Sequence, residues 1–250
     1  MQRYFVNEPF RPKDQIAITG DDYHHIVRVM RMEKGDQLML AFQKTAAQAE
    51  IEYVTEEAVI CRVLDLLDMD PELPVSITIA SGLPKGDKLE WIVQKGTELG
   101  AEQFLVFAAD RSVAKWDGKK IPKKLERLQK IAKEAAEQSH RTQLPTVDYL
   151  PDLYGFLQKE MAQYDAVFCA YEESARSGEK QTLAHLFEEA SPGTRLLGIF
   201  GPEGGISEKE REFLQELGVY FAGLGPRILR TETAPLYVLS AASYHFDLAK

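Results

Sequence analysis

Residues 195–210, RLLGIFGPEGGISEKE, run from an apolar segment through three glycines and a proline into the start of a helix. RLLGIF is a short run of strand type. Ser207 and Glu210 have capping-box spacing, in which the hydroxyl and the carboxylate satisfy the free amides of a first helical turn. The glycines therefore bridge a strand end and a helix start. Downstream, VYFAGL (219–224) reads as another strand and Gly225-Pro226 breaks it. Thr233-Ala234-Pro235 then opens a long apolar helix, with Thr233 as its cap and the proline tolerated in the first turn. Two loops with exposed backbone are thus expected to leave neighbouring strands. Ligands of open α/β sheets sit beyond the carboxyl ends of the strands, so one small-molecule site built from both loops is expected.

Working outward, the strand–helix alternation continues through VSITIASG, KGDKLEWIVQKGTELG, EQFLVFAA, a long helix from Pro122 to Gln138, PTVDYL, a helix over 153–161, DAVFCAY and TLAHLFEEA. This rhythm predicts an α/β domain whose mainly parallel sheet is covered on both faces. Before it the rhythm differs: RYFV, QIAI, QLMLAF, AQAEIEYV and AVICRVLDLL are short alternating segments, with one helix-like insert, DDYHHIVRVMRM. That pattern predicts a small β-barrel with a helix across it. The acidic, proline-containing stretch DLLDMDPELPV marks the boundary, giving domains over 1–70 and 75–250.

The 250 residues are 44% hydrophobic and 28% charged, an ordinary composition for a soluble protein. No apolar segment approaches the roughly 20 residues needed to span a bilayer, and MQRYFVNEPF has no apolar signal region. A cytoplasmic location without membrane association is expected. Cys61 and Cys169 lie far apart without a CxxC, and His24-His25 has neither an HExxH context nor a third ligand, so no disulfide and no metal are expected. Net charge is −9, but it is segregated: residues 111–145 hold ten Lys/Arg against four acids, and residues 46–72 hold one Arg against eight acids. The basic stretch is either a solvated helix face or the footprint of a nucleic acid. GPEGG is neither a Walker loop, since GxxxxGK[ST] is absent, nor a dinucleotide fingerprint, since Gly198, Gly201 and Gly204 are spaced by threes.

Taken together, FGPEGGIS and LGPRILRTETAPLYVLSA resemble the C-terminal signature of the SPOUT class of methyltransferases. More narrowly they resemble the bacterial 16S rRNA (uracil-N3)-methyltransferase family. RYFV, HHIVRVMRMEKGD, LPKGDKLEWIVQKGTELG, DRSV and EAAEQSHRTQLP extend the resemblance over essentially the whole chain. His140, in EQSHR, stands where a small residue is expected. The resemblance implies a PUA-like RNA-binding barrel followed by an α/β domain tied in a trefoil knot. It also implies S-adenosylmethionine as cofactor, 16S rRNA or the small ribosomal subunit as partner, and a homodimer.

On this reading Gly201, Pro202, Gly204, Gly205 and Ile206 on one loop, and Leu224, Gly225, Ile228, Leu229, Thr233 and Ala234 on the other, hold the cofactor. Glycine lets main-chain groups reach the adenine edge while apolar residues flank the ring. Glu203 either faces the cofactor's amino group or ribose, or pins the loop. Uracil N3 is protonated at neutral pH and must lose that proton to attack a methyl group. Glu232 is the candidate base and Arg230 the candidate cation, although Glu232 is equally a favourable charge at a helix N-terminus. Arg3, Arg28, Arg31, Lys85, Arg111 and Arg141 are the candidate RNA contacts, because the arginine fork suits phosphate. A ribose 2′-O-methyltransferase and a non-catalytic RNA-binding assembly protein are the alternatives.

Overall fold

The computed structural model describes all residues except 7–9, 11–14, 43–44, 69, 177 and 250. It divides into two compact units, one of Met1–Glu72 with Ala136–Leu144 and one of Leu73–Ala135 with Pro145–Lys250.

The first unit is a five-stranded sheet of β1 (Arg3–Phe5), β2 (Gln15–Ile18), β3 (Gln37–Phe42), β4 (Thr45–Val54) and β5 (Val59–Leu67), in the order β1-β3-β4-β5-β2. β1 joins β3 in parallel and the other pairs are antiparallel. Alternation places Leu38 and Leu40 of β3, Ala47, Ala49 and Ile51 of β4, and Val59 and Cys61 of β5 in one core with Tyr4, Ile16 and Ile18. Helix α1 (Gly20–His24) runs into a π-helical turn, His25–Met30, that ends on Arg31 in the left-handed region at φ 55°. Tyr23 and Ile26 seal the core, while Arg28, Val29, Met30 and Arg31 remain exposed.

Two of the expected RNA contacts are corrected here. Arg3 and Arg141 are only 3% and 4% exposed, too deep to meet a phosphate. Arg3 Nη1 donates to the carbonyls of His140 and Arg141. Arg141 Nε and Nη2 donate to Glu72 Oε2 at 2.9 and 2.5 Å, and the amides of Thr142 and Gln143 donate to Glu72 Oε1 at 2.8 and 3.0 Å. Both guanidiniums therefore organise the turn after the long basic helix. His140 opens that turn at φ 62°, in the left-handed region that few residues other than glycine adopt.

In the second unit β6 (Ser76–Gly82), β7 (Gln103–Phe107), β8 (Thr146–Leu150), β9 (Ala166–Ala170), β10 (Arg195–Phe200) and β11 (Tyr220–Ala222) form an all-parallel sheet in the order β11-β9-β10-β6-β7-β8. Between strands run α2 (Lys88–Glu98), α3 (Ile121–Gln138), α4 (Leu153–Glu160), α5 (Glu172–Arg176), α6 (Thr182–Glu189) and α7 (Glu208–Glu216); α8 (Thr233–Ser243) closes the series. Each face of the sheet has its own core. Ile77, Ile79, Phe104, Leu196 and Phe200 pack with Ile92 and Val93 of α2, Leu128 and Ala132 of α3, Phe187 of α6, and Val238 and Leu239 of α8. Ala80, Leu105, Val167, Cys169, Leu197 and Ile199 pack on the opposite side with Leu153 and Leu157 of α4 and Leu214 of α7. Burial on both faces explains why these strands read as continuous apolar runs.

Two local expectations shift. β10 and β11 are not neighbours, because β9 lies between them. Alternation of strands and helices specifies parallel direction but not strand order. Helix α8 begins at Thr233 with Glu232 in the cap position, so Thr233 is its first helical residue rather than its cap. The capping box at Ser207 and Glu210 is present in full. No described helix is long and apolar enough to cross a membrane. Among the described residues no cluster of three His, Cys, Asp or Glu could hold a metal.

Candidate active site

The carboxyl ends of β9, β10 and β11 surround a cavity of about 560 Å³, within the roughly 300–1,000 Å³ typical of small-molecule sites. Gly201, Pro202, Glu203, Gly204, Gly205 and Ile206 line one side of it. Leu224, Gly225, Ile228, Leu229, Arg230 and Ala234 line the other, with Lys88 and Arg111 at its edges. The two loops thus meet across the end of β9, which adds Ala170–Glu173 to the wall. Thr233 is exposed and outside this lining.

Close approach of backbone shapes the first loop. A Cβ on Gly82, at the end of β6, would stand 2.7 Å from Pro202 Cδ, so β6 and the loop after β10 touch only because that side chain is missing. Arg111 Nη1 donates to the carbonyl of Gly204 at 3.2 Å. Behind the loop Ser207 Oγ donates to Asp110 Oδ2 at 2.7 Å, and buried Glu210 accepts the amides of Ser207 and Asp110. The second loop is held by Glu179, whose Oε2 accepts the Gly223 amide at 2.7 Å.

Lys88, in the first turn of α2, connects three loops. Its Nζ donates to Glu203 Oε1 at 2.8 Å and lies 3.4 Å from Glu232 Oε2. The Lys85 amide also donates to Glu203 Oε1. Lys88 is held above its ordinary pKa, first by the Glu203 hydrogen bond and then by Glu232. Partial burial pushes Glu203 up, but Lys88 and the surrounding amides outweigh it and keep the carboxyl below its ordinary range. Lys88 as a cation and Glu203 as an anion therefore coexist from mildly acidic to alkaline pH. Glu203 Oε1 thus ties its loop to Lys85 and Lys88 while the residue lines the cavity.

The expected cations lie on different elements. Arg230 is exposed on the cavity lining, and its carbonyl accepts the amides of Thr233 and Ala234 at the start of α8. Lys85 is exposed beside the loop after β6, and Arg111 is exposed at the cavity edge. Arg28 and Arg31 lie on the helical insert of the first unit. Lys88 went unremarked in the sequence, yet it left a signal: a lysine in the first turn of a helix opposes the helix dipole and needs another reason to be there.

An RNA methyltransferase domain family matches residues 71–243, and an RNA methyltransferase PUA domain family matches residues 18–64. The ribosomal RNA small subunit methyltransferase E of Bacillus subtilis is 49% identical over 256 aligned residues, covering 100% of this chain and 99% of the relative. The chain belongs to the ribosomal RNA small subunit methyltransferase E family. The methyltransferase E of Mycobacterium tuberculosis is 32% identical, covering 90% of this chain and 84% of the relative. Among solved structures, the methyltransferase E of Neisseria gonorrhoeae bound to S-adenosyl methionine superposes with a TM-score of 0.82 at 25% identity, covering 99% of both chains. A crystal structure of a hypothetical protein gives a TM-score of 0.89 at 46% identity over 100% of both chains. The methyltransferase E family match thus spans both the PUA unit and the parallel-sheet unit that carries the cavity.

Proposed function

We propose that this chain methylates N3 of a uridine in 16S ribosomal RNA, with S-adenosylmethionine as methyl donor. The observation that carries the reading is the cavity itself, built from two glycine loops at the strand ends of a methyltransferase E family member. Its residues suit the cofactor. Gly225 has φ 90°, and a Cβ there would meet no protein atom within 4 Å, so the backbone is bare toward open space. Ile206, Leu224, Ile228 and Leu229 supply apolar flanks for a purine, and the free main-chain groups of the loops supply partners for its edge. When bound, S-adenosylmethionine supplies a methyl group activated by a sulfonium.

The protein's own task is to handle the imide proton of uracil. Glu232 offers a carboxylate and Arg230 a cation beside the cavity, the pair needed to take the proton and to stabilise the charge left on the base. Arg28 and Arg31, exposed on the insert, serve the RNA backbone. Reversing both charges is expected to lower the slope of log affinity against log salt by about two and to leave cofactor affinity unchanged. Filter binding at several salt concentrations checks this, and an unaltered slope would shift the role to the basic α3.

α8 and its continuation leave Tyr237, Tyr244 and Leu248 41%, 65% and 75% exposed. A second copy of the chain is the partner we assign to this surface, in a homodimer. Light scattering should then give twice the 28.2 kDa of one chain. The test of the reaction is nucleoside mass spectrometry of 16S rRNA from cells with and without this protein. N3-methyluridine should disappear with the protein and return with it. A 2′-O-methyl nucleoside changing instead would favour ribose methylation.

A further inference from the structure

Beside the main cavity lies a second one of about 290 Å³, lined by Asp87, Lys88, Trp91 and Glu232. The two share Lys88. The second has one apolar residue among three charged ones. Trp91 is 59% exposed although its neighbours on α2, Leu89, Ile92 and Val93, are buried in the core. Isolated exposed apolar residues are common, and this one stands out by its surroundings. It lines a niche whose charged members are one cation, Lys88, and two carboxylates, Asp87 and Glu232, next to the proposed methyl donor. Glu232 lines this niche with a side chain 23% exposed, and its Oε2 stands 3.4 Å from Lys88 Nζ in an ion pair.

A flat face, a carboxylate and an ammonium group suit a uracil base. Its ring stacks on an aromatic surface, its N3–H is a donor, and its O2 and O4 flank that donor as acceptors. We propose that this niche is the acceptor site, in which the target uracil, turned out of the RNA, stacks on Trp91 with its imide edge toward Glu232 and Lys88. The inference rests on the uridine-N3 reading above and names the subsite that reading needs. In the step it supports, the N3–H bond breaks and its proton forms an O–H bond with the Glu232 carboxylate. The electron pair stays on N3 and spreads to O2 and O4, where the Lys88 ammonium faces the charge. Trp91 and Lys88 join Glu232 in the site, Trp91 as a binding platform whose contact is independent of base identity. Turning a base out of its stack is the general route by which enzymes reach ring atoms in nucleic acids.

The test uses the full-length protein with S-adenosylhomocysteine bound and Trp116→Phe, so that Trp91 is the sole tryptophan. Titration with uridine 5′-monophosphate should quench its emission saturably, and Glu232→Gln in the same background should weaken that titration. Trp91→Ala should lower single-turnover methylation of 16S rRNA at subsaturating RNA about tenfold to a hundredfold, as expected for loss of one stacked base, and Trp91→Phe should restore most of it. S-adenosylmethionine affinity should stay within twofold in both Trp91 variants. Emission insensitive to the nucleotide, or a Trp91→Ala variant as fast as wild type, overturns the assignment. Emission that follows protein concentration instead assigns Trp91 to a contact between chains and also overturns it. Failure of the underlying reading is separate: wild-type protein would then produce no N3-methyluridine.

Discussion

Gly225→Val is expected to abolish S-adenosylmethionine binding, by at least a hundredfold in titration calorimetry, with the circular dichroism spectrum unchanged. The residue has φ 90°, where L side chains are rarely found and a β-branched one is strained. A Cβ there meets no protein atom within 4 Å, so the added bulk enters open space beside a loop that lines the cavity rather than packing against the protein. Strain and blockage act together. Gly204 is a poorer probe, because a Cβ there would stand 2.8 Å from Arg111 Cβ and 2.9 Å from the Arg111 carbonyl oxygen. Valine at 204 would displace neighbouring backbone, and lost affinity would not distinguish site from scaffold. A Gly225→Val protein that is folded and binds the cofactor normally would remove this loop from the site.

Glu72→Ala is expected to destabilise the first unit by about 3–5 kcal/mol, the range for removing one member of a buried ion pair. The side chains of Glu72 and Arg141 are 7% and 5% exposed. One carboxylate oxygen receives both Arg141 donors and the other receives two backbone amides. Alanine would remove both Arg141 bonds to Glu72 and leave two backbone amides without their acceptor, away from water. Hydrogen exchange of the β1 and β3 amides is the suitable measurement, since a chain of two units need not unfold in a single transition. The double variant Glu72→Leu with Arg141→Met should recover part of the loss, because the buried charge is gone. A Glu72→Ala loss below about 1 kcal/mol would show that water reaches the pair.

The resemblance brought the expected arginines at positions 3 and 141, but a motif match does not show which way a side chain points. Both residues are enclosed by the first unit, where the segment 136–144 completes it from far along the chain. Arg28 and Arg31 are exposed, on an insert whose buried positions are Tyr23 and Ile26. Of the residues assigned to the cofactor, Thr233 alone falls outside the cavity lining, displaced by a helix start one residue earlier than its capping role required.

What the sequence determined by itself is what short-range chemistry controls. The strand–helix alternation, the parallel direction, the capping box at Ser207 and Glu210, and the two glycine loops all follow from spacings of a few residues, and the structure contains each of them. What only the tertiary structure decided is which loops meet. β9 inserted between β10 and β11, the cavity across its end, and Lys88 reaching Glu203 from 115 residues away depend on strand order. Strand order is set by how whole helices and strands pack on both faces of the sheet, a long-range choice that the local period of a parallel strand carries no record of.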